Sequence, residues 1–340
     1  MIKGTVALIG SGELSGTMVE THKALLAGLK MPGKAYFLDT PAGFQENVDL
    51  ISRRAVDFFE SRVGHKMDIA SFKTAGKDVD SISDTLFRQL SEAGFVLIGP
   101  GSPTYAVRQL KDTPVPALLS AMVIKGGALV LASAAALTAG THTLPVYEIY
   151  KVGHSLHWVK GLNILGNLGH DLVVIPHWNN AEGGNHDTRY CYMGEKRFRA
   201  LEKELPDNAL ILGLDEHTAC ILNFAEEEAK VLGIGRVTVR QNGRERYYGR
   251  REKLSFRELF TEAKSFTSEV HKVRKISSGL DQEEPIEEKN AFWEKMHHIE
   301  ANAQKALTGN DRAALTSALL EADQLIWQAQ LDLENPEFIS

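Results

Sequence analysis

The sequence predicts an α/β protein: a doubly wound, mostly parallel sheet with helices on both faces, followed by a C-terminal helical hairpin. Three observations predict it. Short apolar runs alternate with longer stretches of helical spacing through the first half of the chain. Those runs are apolar at successive positions rather than at every second one, as in strands buried on both faces. Glycine or proline follows several of them directly, in the strand-to-helix connections.

In order, Val6 to Ile9 reads as a buried strand ended by Gly10, and Val19 to Leu29 as a helix that stops near Pro32-Gly33. Ala35 to Leu38 is a strand closed by Asp39-Thr40-Pro41, and Val48 to Val63 a helix. Phe95 to Ile98 is a strand ending in Gly99-Pro100-Gly101. Val115 to Ile124 is a helix with Pro116 in its first turn, where a missing N–H costs nothing. Ala128 to Leu131 is the next strand, with a helix from Ala134 onward. The pattern then changes. Leu172 to Ile175, Ala209 to Leu214 and Ala219 to Phe224 read as strands, and Gly194 to Glu204 as an amphipathic helix. Lys230 to Arg240 and Arg246 to Gly249 flank Gln241-Asn242-Gly243, a hairpin signal. The expected organisation is an α/β domain over residues 1–270, an acidic linker over 271–290 and a helical hairpin over 291–340 with Gly309 at its turn.

Composition excludes several classes of function. The 340 residues carry 38 Lys and Arg against 44 Asp and Glu, a net charge of -6, so no basic excess drives nucleic-acid binding. The basic stretch Arg244, Arg246, Arg250, Arg251 and Lys253 reads as a solvated face. Two cysteines, Cys191 and Cys220, make neither a disulfide framework nor a four-cysteine zinc site. The most apolar stretch, Ala128 to Ala139, has 12 residues, against about 20 for a membrane span. The N-terminal apolar run is too short for a signal peptide. The expectation is a cytoplasmic protein with no cofactor, no metal, no nucleic acid and no membrane among its partners.

The segment richest in chemistry is Gly126-Gly127-Ala128-Leu129-Val130-Leu131-Ala132-Ser133-Ala134-Ala135-Ala136. A strand runs into Ser133 and a helix of small residues leaves it, the layout of a turn that lifts a nucleophilic hydroxyl above a sheet edge. Such a helix start also offers amide N–H groups to an oxyanion. The bland reading is that Ser133 caps a helix. A serine nucleophile needs a base and an orienter. His177, in Pro176-His177-Trp178-Asn179-Asn180, stands at a strand end, where sites of open α/β sheets gather. Glu148 lies among apolar residues, where an unpaired carboxylate is costly. Gly99-Pro100-Gly101-Ser102-Pro103-Thr104 lets backbone amides approach a ligand closely.

Together these segments resemble the dipeptidase E and cyanophycinase group, the S51 serine peptidases, which have a class I glutamine amidotransferase-like fold with flavodoxin-like layers. The resemblance covers roughly residues 4 to 250. Gly10-Ser11-Gly12-Glu13 is similar to the family's first glycine-rich loop, and Ala132-Ser133-Ala134-Ala135-Ala136 stands where the family has Thr-Ser-Ala-Gly-Ala. Glu148 falls 15 residues after Ser133, like the family's acidic residue, and Pro176 to Asn180 resembles the stretch that carries its histidine. Gly213-Leu214-Asp215-Glu216-His217-Thr218-Ala219 is similar to the late Gly-Ile-Asp-Glu-x-Thr-Ala motif, read as structural. The resemblance implies a Ser133–His177–Glu148 triad, oxyanion amides at Gly101 and Ala134, and substrate contacts from Ser102, Asn180 and Arg189. It implies a small, aspartyl or β-aspartyl peptide as substrate. Two residues depart from the pattern, Ala135 for glycine and Ala132 for threonine; with the added methyl at Ala135, either the elbow tolerates alanine or the protein is a weak or retired hydrolase.

Rival readings are a degenerate binding or scaffold protein, with the hairpin contacting a partner or a second copy; a dinucleotide-binding loop at Gly10, Gly12 and Gly16; and a metal site drawn from His154, His157, His170, Asp171, His186 and Asp187. The third glycine is one position late for the dinucleotide pattern, and the histidine spacings match no tight zinc motif.

Overall fold

A computed structural model describes residues 1–75 and 79–260, with backbone alone at 79–83, and the isolated positions 298, 299, 301, 302, 305, 309 and 314. The chain divides into two compact units, Met1–Phe266 and Thr267–Ser340. In the second, His298, Ile299, Ala301, Asn302, Lys305 and Ala314 have helical backbone, and Gly309 N–H donates to Lys305 O at 2.9 Å. The acidic linker and the rest of the expected hairpin lie outside the described residues.

The first unit runs β1 (Thr5–Ile9), α1 (Val19–Ala27), β2 (Lys34–Leu38), α2 (Val48–Phe58), β3 (Met67–Ala70), α3 (Val79–Ser91), β4 (Ala93–Ile98), α4 (Pro103–Leu110), α5 (Val115–Lys125), β5 (Ala128–Ala132) and α6 (Ala134–Leu137). Then come β6 (His142–Thr143), α7 (Val146–Tyr150), β7 (Val159–Lys160), α8 (Ile164–Asn167), β8 (Val173–Ile175), α9 (Gly194–Glu202), β9 (Ile211–Leu214), β10 (Thr218–Asn223), β11 (Glu228–Gly233), β12 (Val237–Gln241), β13 (Arg244–Tyr248), β14 (Lys253–Ser255) and α10 (Phe256–Phe260). The main sheet has the order β14-β11-β10-β1-β5-β4-β2-β3. Its five strands β1, β5, β4, β2 and β3 pair in parallel, and β10, β11 and β14 add an antiparallel edge.

Period-two alternation splits the core between the two faces of this sheet. Val6, Leu8, Val96, Ile98, Leu129 and Leu131 pack on one side with Leu119 and Val123 of α5. Ala7, Ile9, Phe95, Leu97, Val130 and Ala132 pack on the other with Leu25 of α1 and Ala55 of α2. Both faces are therefore apolar, which accounts for the unbroken hydrophobic runs in the sequence. The fold is a doubly wound, mostly parallel α/β architecture.

A second sheet, β13-β12-β9-β8, packs its own core of Val173, Ile175, Trp178, Phe198, Leu201 and Ile211. The expected single strand from Lys230 to Arg240 is two strands, β11 in the main sheet and β12 in the second, broken around Gly233–Gly235. The hairpin at Asn242-Gly243 has positive φ at both residues, 49° and 74°, as a tight two-residue turn requires.

Register brings three chain segments together. Ile9 pairs with Ala132 in β5 and with Ala219 in β10. The residue after β5, Ser133, thus lies beside the start of β10. In the second sheet Ile175 pairs with Gly213, so the segments after β8 and β9 leave in step. The turn at residues 215–217 joins β9 to β10 and hence one sheet to the other.

Candidate active site

Ser133 sits between β5 and α6 with φ 51° and ψ -115°, a combination L residues rarely adopt. Its N–H donates to Ile9 O at 3.0 Å, which fixes the turn to β1. Small side chains make the turn feasible. Ala134, Ala135 and Ala136 are all buried, and α6 packs against α4 and β8. Ala135 lies in the main core at 1 % exposure. With alanine at this position the turn at Ser133 still has φ 51°.

Ser133 Oγ lies 2.9 Å from His177 Nε2. His177 follows β8 with φ 49°. Its carbonyl accepts N–H bonds from Asn180 (3.2 Å) and Cys191 (3.1 Å), so both the segment after β8 and the 188–194 segment fix its backbone. Trp178 anchors this segment: its N–H donates to Leu214 O at 3.0 Å. A Cβ on Gly213 would come within 2.3 Å of the Trp178 ring, so glycine is required there.

The carboxylate on the other ring nitrogen is Glu216, not Glu148. Glu216 Oε1 lies 2.7 Å from His177 Nδ1 and accepts a further bond from Asn180 Nδ2 at 3.1 Å. Its own N–H donates to Asn179 Oδ1 at 2.8 Å. The His177 hydrogen bond, helped by Asn180, holds the Glu216 carboxyl below its ordinary 4.5 against the opposing effect of burial. An ionised carboxylate only accepts, so Nδ1 carries the ring proton and Nε2 is left to accept the Ser133 hydroxyl proton. Glu148 stands elsewhere, on α7, where Thr104 Oγ1 donates to its Oε1 at 2.5 Å. α7 turns the Glu148 side chain towards Thr104 of α4. The signal for Glu216 was present in the Asp215-Glu216 pair. Asp215 is the structural member, buried, accepting from Arg236 N–H at 2.9 Å, and desolvation pushes its carboxyl up.

Gly101, with φ 144°, has its α-carbon against Pro41: an added Cβ would stand 2.0 Å from Pro41 O. The loop after β4 therefore needs glycine to pass Pro41, and it lies one strand from the Ser133 turn. Ala134 opens α6, where first-turn amides have no carbonyl partner inside the helix. Ser102 caps α4, its Oγ accepting from Tyr105 N–H at 3.2 Å. Asn180 is buried and spent on Glu216. Arg189 forms a two-point pair with Asp187, both bonds 2.9 Å, which holds Asp187 well below the usual carboxylate range.

Glu13, from the first glycine-rich loop, is buried behind the site. Desolvation raises its pKa, partly offset by its own backbone N–H and by His177. Next to Gly12 the loop is packed by the His217 ring: a Cβ on Gly12 would lie 2.3 Å from His217 Nδ1. A side chain thus stands where a dinucleotide phosphate would need open backbone amides. Among the described residues no group of three His, Cys, Asp or Glu side chains is placed to hold a metal, and no helix is long and apolar enough to cross a membrane.

No family model matches the chain, and no curated protein does. Solved structures do. One is the crystal structure of a peptidase from an acI-B1 actinobacterium, 21% identical, with a TM-score of 0.60, covering 75% of this chain and 98% of that one. The two share a fold. A second match is a candidate peptidase E from Listeria monocytogenes EGD-e, 16% identical over 70% of this chain and 98% of that one, with a TM-score of 0.45.

Proposed function

We propose that the protein is a serine hydrolase of small peptides, with Ser133 as nucleophile, His177 as general base and acid, and Glu216 as the orienting carboxylate. The observation that carries this reading is the 2.9 Å approach of Ser133 Oγ to His177 Nε2 at a backbone-strained elbow. Strain of this kind costs on the order of 1–3 kcal/mol and persists where surrounding structure enforces it, often at reactive centres. The likeness of fold to a protein named a peptidase supports the same class of reaction.

In the proposed reaction His177 Nε2 takes the hydroxyl proton as Ser133 Oγ attacks the peptide carbonyl carbon. Glu216 stabilises the imidazolium through Nδ1–H without itself taking the proton. The amides of Gly101 and Ala134 are the proposed donors to the oxyanion. Collapse of the tetrahedral intermediate breaks the C–N bond, and His177 returns the proton to the leaving amine. Water then repeats the sequence on the acyl-serine ester, freeing the acid and restoring Ser133. The resemblance to the S51 peptidases makes aspartyl and β-aspartyl dipeptides the first substrates to try.

A fluorophosphonate probe tests the reading. It should attach at Ser133, found by peptide mapping, and labelling should vanish in Ser133→Ala and fall steeply in His177→Ala. An unlabelled Ser133 in a folded protein would remove the hydrolase and leave a binding fold.

A further inference from the structure

The His177 ring has a third neighbour besides Ser133 and Glu216. The Tyr192 ring packs beside it, with centroids 6.1 Å apart and planes tilted by 45°, within the range over which aromatic rings attract. Tyr192 is only partly buried, yet it is held at two further points. Its ring packs against Tyr150 of α7 at 5.2 Å, and its hydroxyl donates to Glu182 Oε2 at 2.7 Å. Burial and the bond to Glu182 push the pKa of that hydroxyl up, so it remains a donor.

These contacts close a circuit around the imidazole. His177 Nδ1 meets Glu216 Oε1, which also accepts from Asn180 Nδ2. Asn180 Oδ1 accepts from Glu182 N–H at 3.3 Å, and Glu182 Oε2 accepts from Tyr192, whose ring returns to His177. Ser133 and Glu216 hold the two ring nitrogens, and Tyr192 is the aromatic wall beside them.

The backbone that delivers this ring is strained. Tyr190, Cys191 and Tyr192 have φ of 58°, 54° and 68°, three successive L residues in a region that such residues enter singly. Hydrogen bonds hold the turn in place. Tyr190 N–H donates to Trp178 O at 2.9 Å, Cys191 N–H to His177 O at 3.1 Å, and Tyr192 N–H to Thr188 O at 2.9 Å. Strain enforced in this way gathers at functional sites. Here the turn is tied to the histidine segment by two of its amides, and the next residue along carries the ring that meets the imidazole.

We infer that Tyr192 is a positioning residue for His177: its ring, held by Glu182 and Tyr150, keeps the imidazole aligned between Ser133 Oγ and Glu216. The kinetic consequence rests on the hydrolase reading; the effect on the imidazole does not.

The test uses the full chain and two readouts. One is steady-state hydrolysis of an aspartyl dipeptide. The other is the downfield proton resonance of His177 Nδ1–H, identified by its absence in His177→Ala. Tyr192→Ala should lower kcat about 10- to 100-fold with KM little changed, as for a reacting group left loosely placed. The Nδ1–H resonance should broaden in step, because a mobile ring exchanges that proton with water. Tyr192→Phe keeps the ring and should recover most of the lost kcat and the sharp resonance. Tyr192→Leu keeps apolar bulk, which guards against unfolding, and should still lose about 3- to 10-fold in kcat. A folded Tyr192→Leu or Tyr192→Ala with unchanged kcat and a sharp resonance would overturn the inference. So would a loss confined to KM, which would make Tyr192 a substrate contact, or a Tyr192→Phe no better than Tyr192→Ala. No cleavage by the unmodified protein, with the resonance lost in Tyr192→Ala and kept in Tyr192→Phe, would keep the positioning role and discard the hydrolase. Cleavage and resonance both indifferent to Tyr192 would do the reverse.

Discussion

Glu216 Oε1 is 2.7 Å from His177 Nδ1, across a junction between two sheets: His177 leaves β8 of the smaller sheet, and Glu216 stands in the turn that carries the chain back to the larger one. The pair makes a specific kinetic prediction. Glu216→Gln should lower kcat for peptide hydrolysis by about 10³- to 10⁴-fold, because an amide no longer fixes the tautomer that leaves Nε2 free to accept. The loss should be seen in steady-state kinetics with KM little changed. Equal kcat in Glu216→Gln and the unmodified protein would remove Glu216 from the reaction.

The backbone at Ser133 predicts an inverted order of stability. Both Ser133→Ala and Ser133→Gly delete the hydroxyl that reaches His177. Ordinarily the glycine variant is the less stable by about 0.5–1 kcal/mol. At φ 51° and ψ -115° the alanine keeps the strain, about 1–3 kcal/mol, and glycine releases it. Urea titration should therefore find Ser133→Gly at least as stable as Ser133→Ala. A clear deficit for glycine would mean that the elbow is not strained.

What could be read from the sequence divides along a physical line. Strands such as Val6 to Ile9 and Ala128 to Leu131 were legible because a strand covered on both faces must be apolar throughout. Ser133 and His177 could be singled out because each stands at the end of such a strand, Ser133 directly and His177 after Pro176. Glu216 was not assigned to the site because the strand before it, β9, becomes the neighbour of β8 only in the folded sheet, where the register Ile175–Gly213 brings it beside His177. The division of Lys230 to Arg240 between two sheets was hidden for a related reason: period and propensity specify a strand but not its neighbours. Asn180 and Arg189 have the residue types of ligand contacts; the bond from Asn180 to Glu216 is a tertiary contact that composition does not carry, and Arg189 pairs locally with Asp187.

Ala135 departs from the glycine of the resembled motif, and its burial predicts what restoring glycine would do. The methyl belongs to the main core, so Ala135→Gly loses a buried group and gains backbone freedom in a short helix. The expected cost is about 1–2 kcal/mol of stability. Activity should not rise, since the elbow and the Ser133–His177 approach already form with alanine in place. A large gain in kcat/KM on introducing glycine would show that the methyl does obstruct the oxyanion amides.

His22 predicts a pH dependence of stability that is independent of the reaction. The ring is fully buried against Phe59 and Phe95, its Nε2 bonds Glu13 O at 2.7 Å, and its Nδ1 has no partner. Burial pushes its pKa down to about 4, outweighing the Glu13 carbonyl. The folded state thus binds this proton less readily than the unfolded chain, whose histidine titrates near 6.5. The resulting stability is complete above about pH 6.5 and is lost progressively as pH falls towards 4, a loss on the order of 3 kcal/mol from this residue. Denaturant midpoints measured from pH 7 to 4 should fall with a slope that His22→Phe flattens by roughly one proton. Phenylalanine forfeits the bond to Glu13 O, so its stability at pH 7 should be lower and the two curves should converge on acidification. Parallel curves across that range would show that His22 is protonated in the folded protein after all.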